Sequence, residues 1–203
     1  MSDKGLLVVL SGPSGAGKDT VLNNLLAKNK NIRISTSATT RSPREGEVDG
    51  EDYYFISNEE FVQLISKDGM LEYAEYCGNY YGTPYDQVES WLCKGRDVVL
   101  EIEVKGGAQV MKRCPDAVSI FIIPPSLKEL EMRLKNRATE PDKIIEKRLN
   151  IAREEINAAK DYNYIVVNDT VEQCANDICN IIVSEKMKSY RKINIIEEVL
   201  KDA

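Results

Sequence analysis

Gly12, Pro13, Ser14, Gly15, Ala16, Gly17 and Lys18 spell G-x-x-x-x-G-K, a contiguous run whose residue types suit one chemical task. Glycines let the backbone curl until successive N–H groups face a single point, and the closing lysine reaches an anion held there. Such a loop binds the phosphates of a nucleoside triphosphate, and by itself it names no reaction. An ordinary glycine turn would use the same letters, so the flanking sequence decides. Residues 6–10 form a short apolar run, and Val21, Leu22, Leu25 and Leu26 share one face at helical spacing. A buried strand entering the loop and an amphipathic helix leaving it are the required context. After the lysine, these loops usually place Ser or Thr as a ligand to Mg²⁺, whereas this chain has Asp19 followed by Thr20. Carboxylate oxygen is a hard ligand, so Asp19 is the candidate metal residue, directly or through water. Its charge suits a helix N-terminus but could equally repel a triphosphate.

A second anion site is written into residues 37–54. Arg41 and Arg44 lie three residues apart around a Ser-Pro turn, with Gly46, Gly50, Tyr53 and Tyr54 following. Guanidinium forks match phosphate oxygens in pairs, and phenolic hydroxyls add donors, so the group reads as a compact monophosphate clamp. A solvated basic turn is the competing reading. The chain contains no histidine, which removes the commonest general base and the commonest zinc ligand. Chemistry must rest on lysine, arginine, carboxylates and backbone amides.

Bulk properties narrow the field. The 203 residues include 27 basic and 33 acidic side chains, a net charge of -6, so bulk charge does not suggest a nucleic-acid or anionic-membrane binder. Five cysteines, an odd number without a C-x-x-C pair, read as reduced thiols. No apolar stretch approaches the ~18 to 20 residues that span a bilayer, and a cytoplasmic location is expected.

The elements that must hold these residues follow from periodicity. Apolar runs recur at 98–102, 117–123 and 164–167, each followed by a helical pattern, which predicts a parallel sheet covered on both faces by helices. Ser126 caps a helix over 127–136, and Pro141 suits the first turn of another reaching 159. Residues 33–95 break that rhythm with polar turns and tyrosine-rich short strands near 53–56 and 80–82. They read as an inserted lobe of small antiparallel strands. Within it, Ser57 and Glu60 form a capping box for a helix over 58–65, and a second helix runs from about Thr83-Pro84 to Gly95. The last segment, 184–203, is charged and helical, with Ile193, Ile196, Val199 and Leu200 in a narrow stripe that could dock on the core or pair with a second subunit.

Taken together, the loop at 11–18, the stretch Ser37-Ala-Thr-Thr-Arg41-Ser-Pro-Arg44-Glu-Gly-Glu47 with Asp52-Tyr53, and Gly78-Asn-Tyr-Tyr-Gly-Thr83 resemble guanylate kinases in order and spacing, over about residues 6–182. The resemblance implies an α/β P-loop NTPase fold: a three-layer sandwich with a parallel-sheet core, an inserted small mixed α/β GMP-binding lobe and a helical lid. In those terms the core is 1–34 and 96–185, the lobe 35–95, the lid within 133–153, and the C-terminal helical extension 186–203. It implies transfer of the γ-phosphoryl of ATP to GMP, and to dGMP as well, with Mg²⁺, in purine nucleotide recycling. Arg41, Arg44, Tyr53 and Tyr81 would bind the GMP phosphate, while Ser37, Glu72 and Thr83 contact guanine. Glu101 and Glu103 resemble acids of the strand that ends beside the phosphate loop, where they would orient metal-bound waters and the acceptor nucleotide. Family members often have Asp at the position of Glu103 and Gln at that of Lys105. The resemblance places Arg137, Thr139 and Glu140 in the ATP lid, with Arg137 and Arg148 facing the moving phosphoryl group, Arg133 beside adenine, and Asn168-Asp169 on the adenine side. Two other readings stay open on sequence alone: a P-loop kinase for AMP or another small acceptor, and a guanylate-kinase-like interaction module without catalysis.

Overall fold

In the computed structural model, residues 4–137 and 142–201 are described. In chain order the elements are β1 (Leu7–Ser11), α1 (Lys18–Lys28), β2 (Ile32–Ile34), β3 (Ala38–Thr39), β4 (Tyr54–Phe55), α2 (Asn58–Ser66), β5 (Met70–Tyr76), β6 (Asn79–Pro84), α3 (Tyr85–Cys93), β7 (Asp97–Glu101), α4 (Val104–Arg113), β8 (Val118–Ile123), α5 (Leu127–Arg137), α6 (Asp142–Asn157), β9 (Tyr164–Val167), α7 (Val171–Lys186) and α8 (Ile193–Lys201).

Five strands form the parallel sheet in the order β2-β7-β1-β8-β9. β1 lies at its centre and is apolar at every position before Ser11 because both of its faces are covered. Leu6, Val8 and Leu10 pack with Val21, Leu22 and Leu25 of α1 and with Cys174, Ala175, Ile178 and Ile182 of α7. Leu7 and Val9 point the other way, toward Val88 and Leu92 of α3, Val110 of α4, and Phe121 and Tyr162. The expected three-layer core is therefore present. β2 is an addition to the expected strands. At three residues it is too short to show a period, and it exists because it pairs with β7.

A second sheet, in the order β4-β3-β6-β5, builds the insert. Its strands are not all antiparallel as the sequence suggested: β3 and β4 run parallel, because the long turn region between them returns the chain to the same end. β5 and β6 form a hairpin whose two turn residues, Cys77 and Gly78, both have positive φ, the requirement of a type I′ turn. Phe61 from α2 is fully buried beneath this sheet with Ala38 and Met70, and its ring stacks on Tyr80 at 5.2 Å. The capping box of Ser57 and Glu60 is present in full. Gln109 of α4 bonds both backbone groups of Tyr73, tying the outer strand of the insert to the main body.

α3 begins after Pro84 and ends before Gly95, and its Val88 and Leu92 belong to the core of the main sheet. At the other end of the chain, α8 does not dock on the core: Ile193, Ile196, Val199 and Leu200 are all exposed. All five cysteines are free thiols. Among the described residues, no helix is long and apolar enough to cross a membrane.

Candidate active site

The loop from Gly12 to Lys18 connects the end of β1 to the start of α1. Gly15 and Gly17 hold φ of 87° and 85°, a region that side chains avoid. A Cβ at Gly17 would also stand 2.7 Å from Asn168 Nδ2. That amide donates to Ala16 O at 2.7 Å, so the start of β9's outgoing loop clasps the phosphate loop from outside. α1 has no side-chain cap at its N-terminus, which leaves its first N–H groups to face an incoming anion. Lys18 Nζ donates to Gly12 O at 3.0 Å. Beside it opens a cavity of about 310 Å³, lined by Ser14, Lys18, Asp19, Glu101, Glu103 and Glu155 among others.

Asp19 and Glu101 stand beside each other in this cavity. Burial, and then the neighbouring Asp19 charge, push the Glu101 carboxyl up to about 7, against the pull of Lys18. Thr20, the displaced hydroxyl, does not line this cavity. It opens onto a separate groove of about 360 Å³ with Arg133, Asn168 and Asp169. There Arg133 is fixed by Glu129 at 3.0 Å and by the Asn168 carbonyl at 3.0 Å. The adenine-side residues named from sequence are thus neighbours in space.

The third cavity, about 520 Å³, lies under the insert and is lined by Ser37, Tyr53, Glu72, Tyr81, Lys105 and Gly106 among others. Glu72 and Thr83 are cross-strand partners on β5 and β6, and Thr83 Oγ1 donates to Glu72 Oε1 at 2.7 Å. A Cβ on Gly106 would come within 2.8 Å of the other Glu72 oxygen, so the absent side chain is what admits this carboxylate. Burial raises the Glu72 carboxyl above its ordinary range, Thr83 opposing and Glu103 adding a little. Ile102 and Glu103, just after β7, line both this cavity and the loop cavity, so the two adjoin there.

Arg41 stands at the rim of the larger cavity. Its guanidinium lies 5.5 Å from the Tyr53 ring centroid, and the Tyr53 and Tyr81 rings meet edge to face at 6.1 Å. Two of its nitrogens are held by Glu47 at 2.9 Å each, and Glu47 also accepts the Arg44 backbone N–H at 2.7 Å. Sequence reasoning quoted Glu47 only as part of the motif. The signal was an acid six residues from the arginine in one turn. Arg44 itself is exposed. Glu155, half-buried on α6, was missed altogether, since an acid on an amphipathic helix normally marks its wet side. Arg148 is half-buried on the same helix. Arg137 is the last residue of α5, and its side chain, with Thr139, Glu140 and Pro141, lies outside the described residues.

With the geometry in view, comparison with known proteins is decisive. A family model described as guanylate kinase matches residues 4–185. The chain belongs to the guanylate kinase family. Guanylate kinase of Clostridioides difficile (strain 630) is 51% identical over 199 residues, covering 98% of this chain and 97% of the relative. Guanylate kinase of Halalkalibacterium halodurans is 50% identical over 191 residues, 94% of each chain. Among solved structures, the crystal structure of guanylate kinase from Anaplasma phagocytophilum superposes with a TM-score of 0.73 at 39% identity, covering 94% of this chain and 90% of that one. These matches run through both sheets, so the guanylate kinase fold accounts for the insert as well as for the core.

Proposed function

We propose that this chain transfers the γ-phosphoryl of ATP to GMP, giving ADP and GDP, and that it accepts dGMP. The observation that carries this reading is the junction of the two cavities at Ile102 and Glu103, one built on the glycine loop and the other around the Glu72–Thr83 pair. Guanine presents N1–H and an exocyclic amine as donors, which a carboxylate accepts. Adenine offers an acceptor at N1 and would be repelled. Glu72 is therefore the discriminating residue, with Ser37 and Thr83 beside it.

Catalysis here is positioning and charge neutralisation. Lys18 and the loop amides hold the donor phosphates, and Arg41, Arg44, Tyr53 and Tyr81 hold the acceptor phosphate. The attacking oxygen is already anionic, so no general base is needed. Arg137 and Arg148 close on the equatorial oxygens, where charge spreads as the phosphoryl group moves, and Arg133 with Asn168 flanks adenine. The core (1–34 and 96–185), the acceptor lobe (35–95) and the lid (within 133–153) act as separate bodies whose closure excludes water. The neighbouring carboxylates of Asp19 and Glu101 fit a hard divalent cation, because the Asp19 charge raises the cost of ionising Glu101 until a cation sits between them. Mg²⁺ bound there would screen the donor phosphates. The location is cytoplasmic.

A scaffold module without catalysis is disfavoured by Lys18, which such domains typically lose, and by the built cavity around it. The test is a coupled assay of ADP release with GMP, AMP, UMP and CMP as acceptors. GMP should exceed the others by about a hundredfold or more in kcat/KM. Comparable turnover of AMP, or no GDP at all, would refute the assignment.

A further inference from the structure

The reaction described above makes no use of Glu155, yet its carboxylate lies in the donor-phosphate cavity with Ser14 and Lys18. It comes from α6, whose Ile145, Leu149 and Ala152 pack on Leu130 and Leu134 of α5, and whose Ile156 reaches the core of the main sheet. The helix is thus held from both sides, and Glu155 is presented to the loop by well-packed backbone. Arg148 precedes it by seven residues, which puts both side chains on one face of α6. The Glu155 carboxylate stands in that cavity beside Ser14 and Lys18. Burial works against its charged form, Lys18 favours it, and Glu103 opposes it. Lys18, meanwhile, rests on the Gly12 carbonyl. An acid of the chain therefore stands among the loop groups that a phosphate would use, and the loop lysine already has a partner.

A carboxylate and a phosphate are both anions, and one cradle cannot hold the two at full strength. We propose that Glu155 is a resident competitor for the donor-phosphate cradle, its carboxylate standing beside Ser14 and Lys18 when no nucleotide is bound and expelled when the triphosphate enters. The proposal rests on the reading of the glycine loop as the donor site. A competitor of this kind lowers the affinity of every loop-binding anion by the same factor. ATP tolerates the loss because its nucleoside has further contacts along the Arg133–Asn168 groove. Inorganic phosphates have none, so the loop stays clear of them.

Calorimetric titration of inorganic tripolyphosphate, ATP and GMP, each separately, into wild type, Glu155→Gln and Glu155→Ala tests this. Both variants should bind tripolyphosphate and ATP about tenfold more tightly, with GMP affinity within about twofold of wild type. Gln keeps the shape of the side chain, and Ala removes it, so a shared gain isolates the charge; melting curves confirm that both variants fold. Unchanged or weaker tripolyphosphate binding in both variants, with wild type still binding ATP, overturns the proposal and leaves the donor site standing. A wild type whose ATP affinity is indifferent to Lys18→Ala overturns the donor-site reading and this proposal with it.

Discussion

The donor and acceptor cavities meet at one strand end but are built by opposite means. Residues 12–20 make the donor cradle almost unaided: backbone amides, two glycines at positive φ and one lysine, set between the central strand and the first helix. The acceptor cavity draws on side chains from Ser37 to Gly106, and its central pair, Glu72 and Thr83, meets only because β5 and β6 pair in one register. A cradle of backbone needs its glycines and the elements that frame it. A pocket of side chains needs every strand that carries them, and second residues such as Glu47 to aim the first. Damage to the donor side should therefore be severe and local, while damage to the acceptor side should be graded and should alter selectivity.

The largest test is Lys18→Ala. Turnover should fall by about a thousandfold or more with the melting temperature nearly unchanged, because the loop's geometry is backbone-determined. Near-normal GDP formation by this variant would end the comparison. Next comes Glu72→Gln, for which kcat/KM with GMP should drop about a hundredfold while AMP activity changes little. Its pH dependence sharpens the point. Burial raises the Glu72 carboxyl, so in wild type KM for GMP should climb on acidification at a higher pH than an ordinary carboxylate would give. A raised carboxyl contributes stability that is present at low pH and lost as pH rises through its folded pKa. Glu72→Gln should thus melt no lower than wild type at neutral pH, as thermal scans across pH would show.

Smaller effects are expected at the rim. Arg41→Lys should raise KM for GMP about tenfold with kcat less affected, since an ammonium cannot keep the paired contact with Glu47 while reaching the phosphate. Smallest is Asp19→Ser, which should lower KM for ATP at saturating Mg²⁺ by about twofold; identical KM and turnover would leave Asp19 without a role.

The same contrast governs how much was legible in the sequence. The central strand, the glycine loop and the helix caps at Ser57 and Ser126 are local signals, and each appears where it was expected. β2, β3 and β5 were not foreseen. β2 and β3 are short, and their partners β7 and β6 lie far along the chain, so tertiary contact rather than propensity makes them strands, while β5 is set by its hairpin with the neighbouring β6. In the site, Lys18 announced itself through spacing, whereas the pairing of Glu72 with Thr83 came from family resemblance and then from register. Glu155 carried no signal of either kind. Only the packing of α6 shows that this acid faces the loop.

Asn168 donates to Ala16 across 152 positions of sequence, and the central strand finds its neighbours only when residues beyond 97 and 118 exist. During synthesis the glycine loop therefore emerges well before the residues that complete it. A nascent polypeptide carries the letters of the motif without its clasp, and should neither hold nor hydrolyse ATP until β9 and Asn168 have emerged.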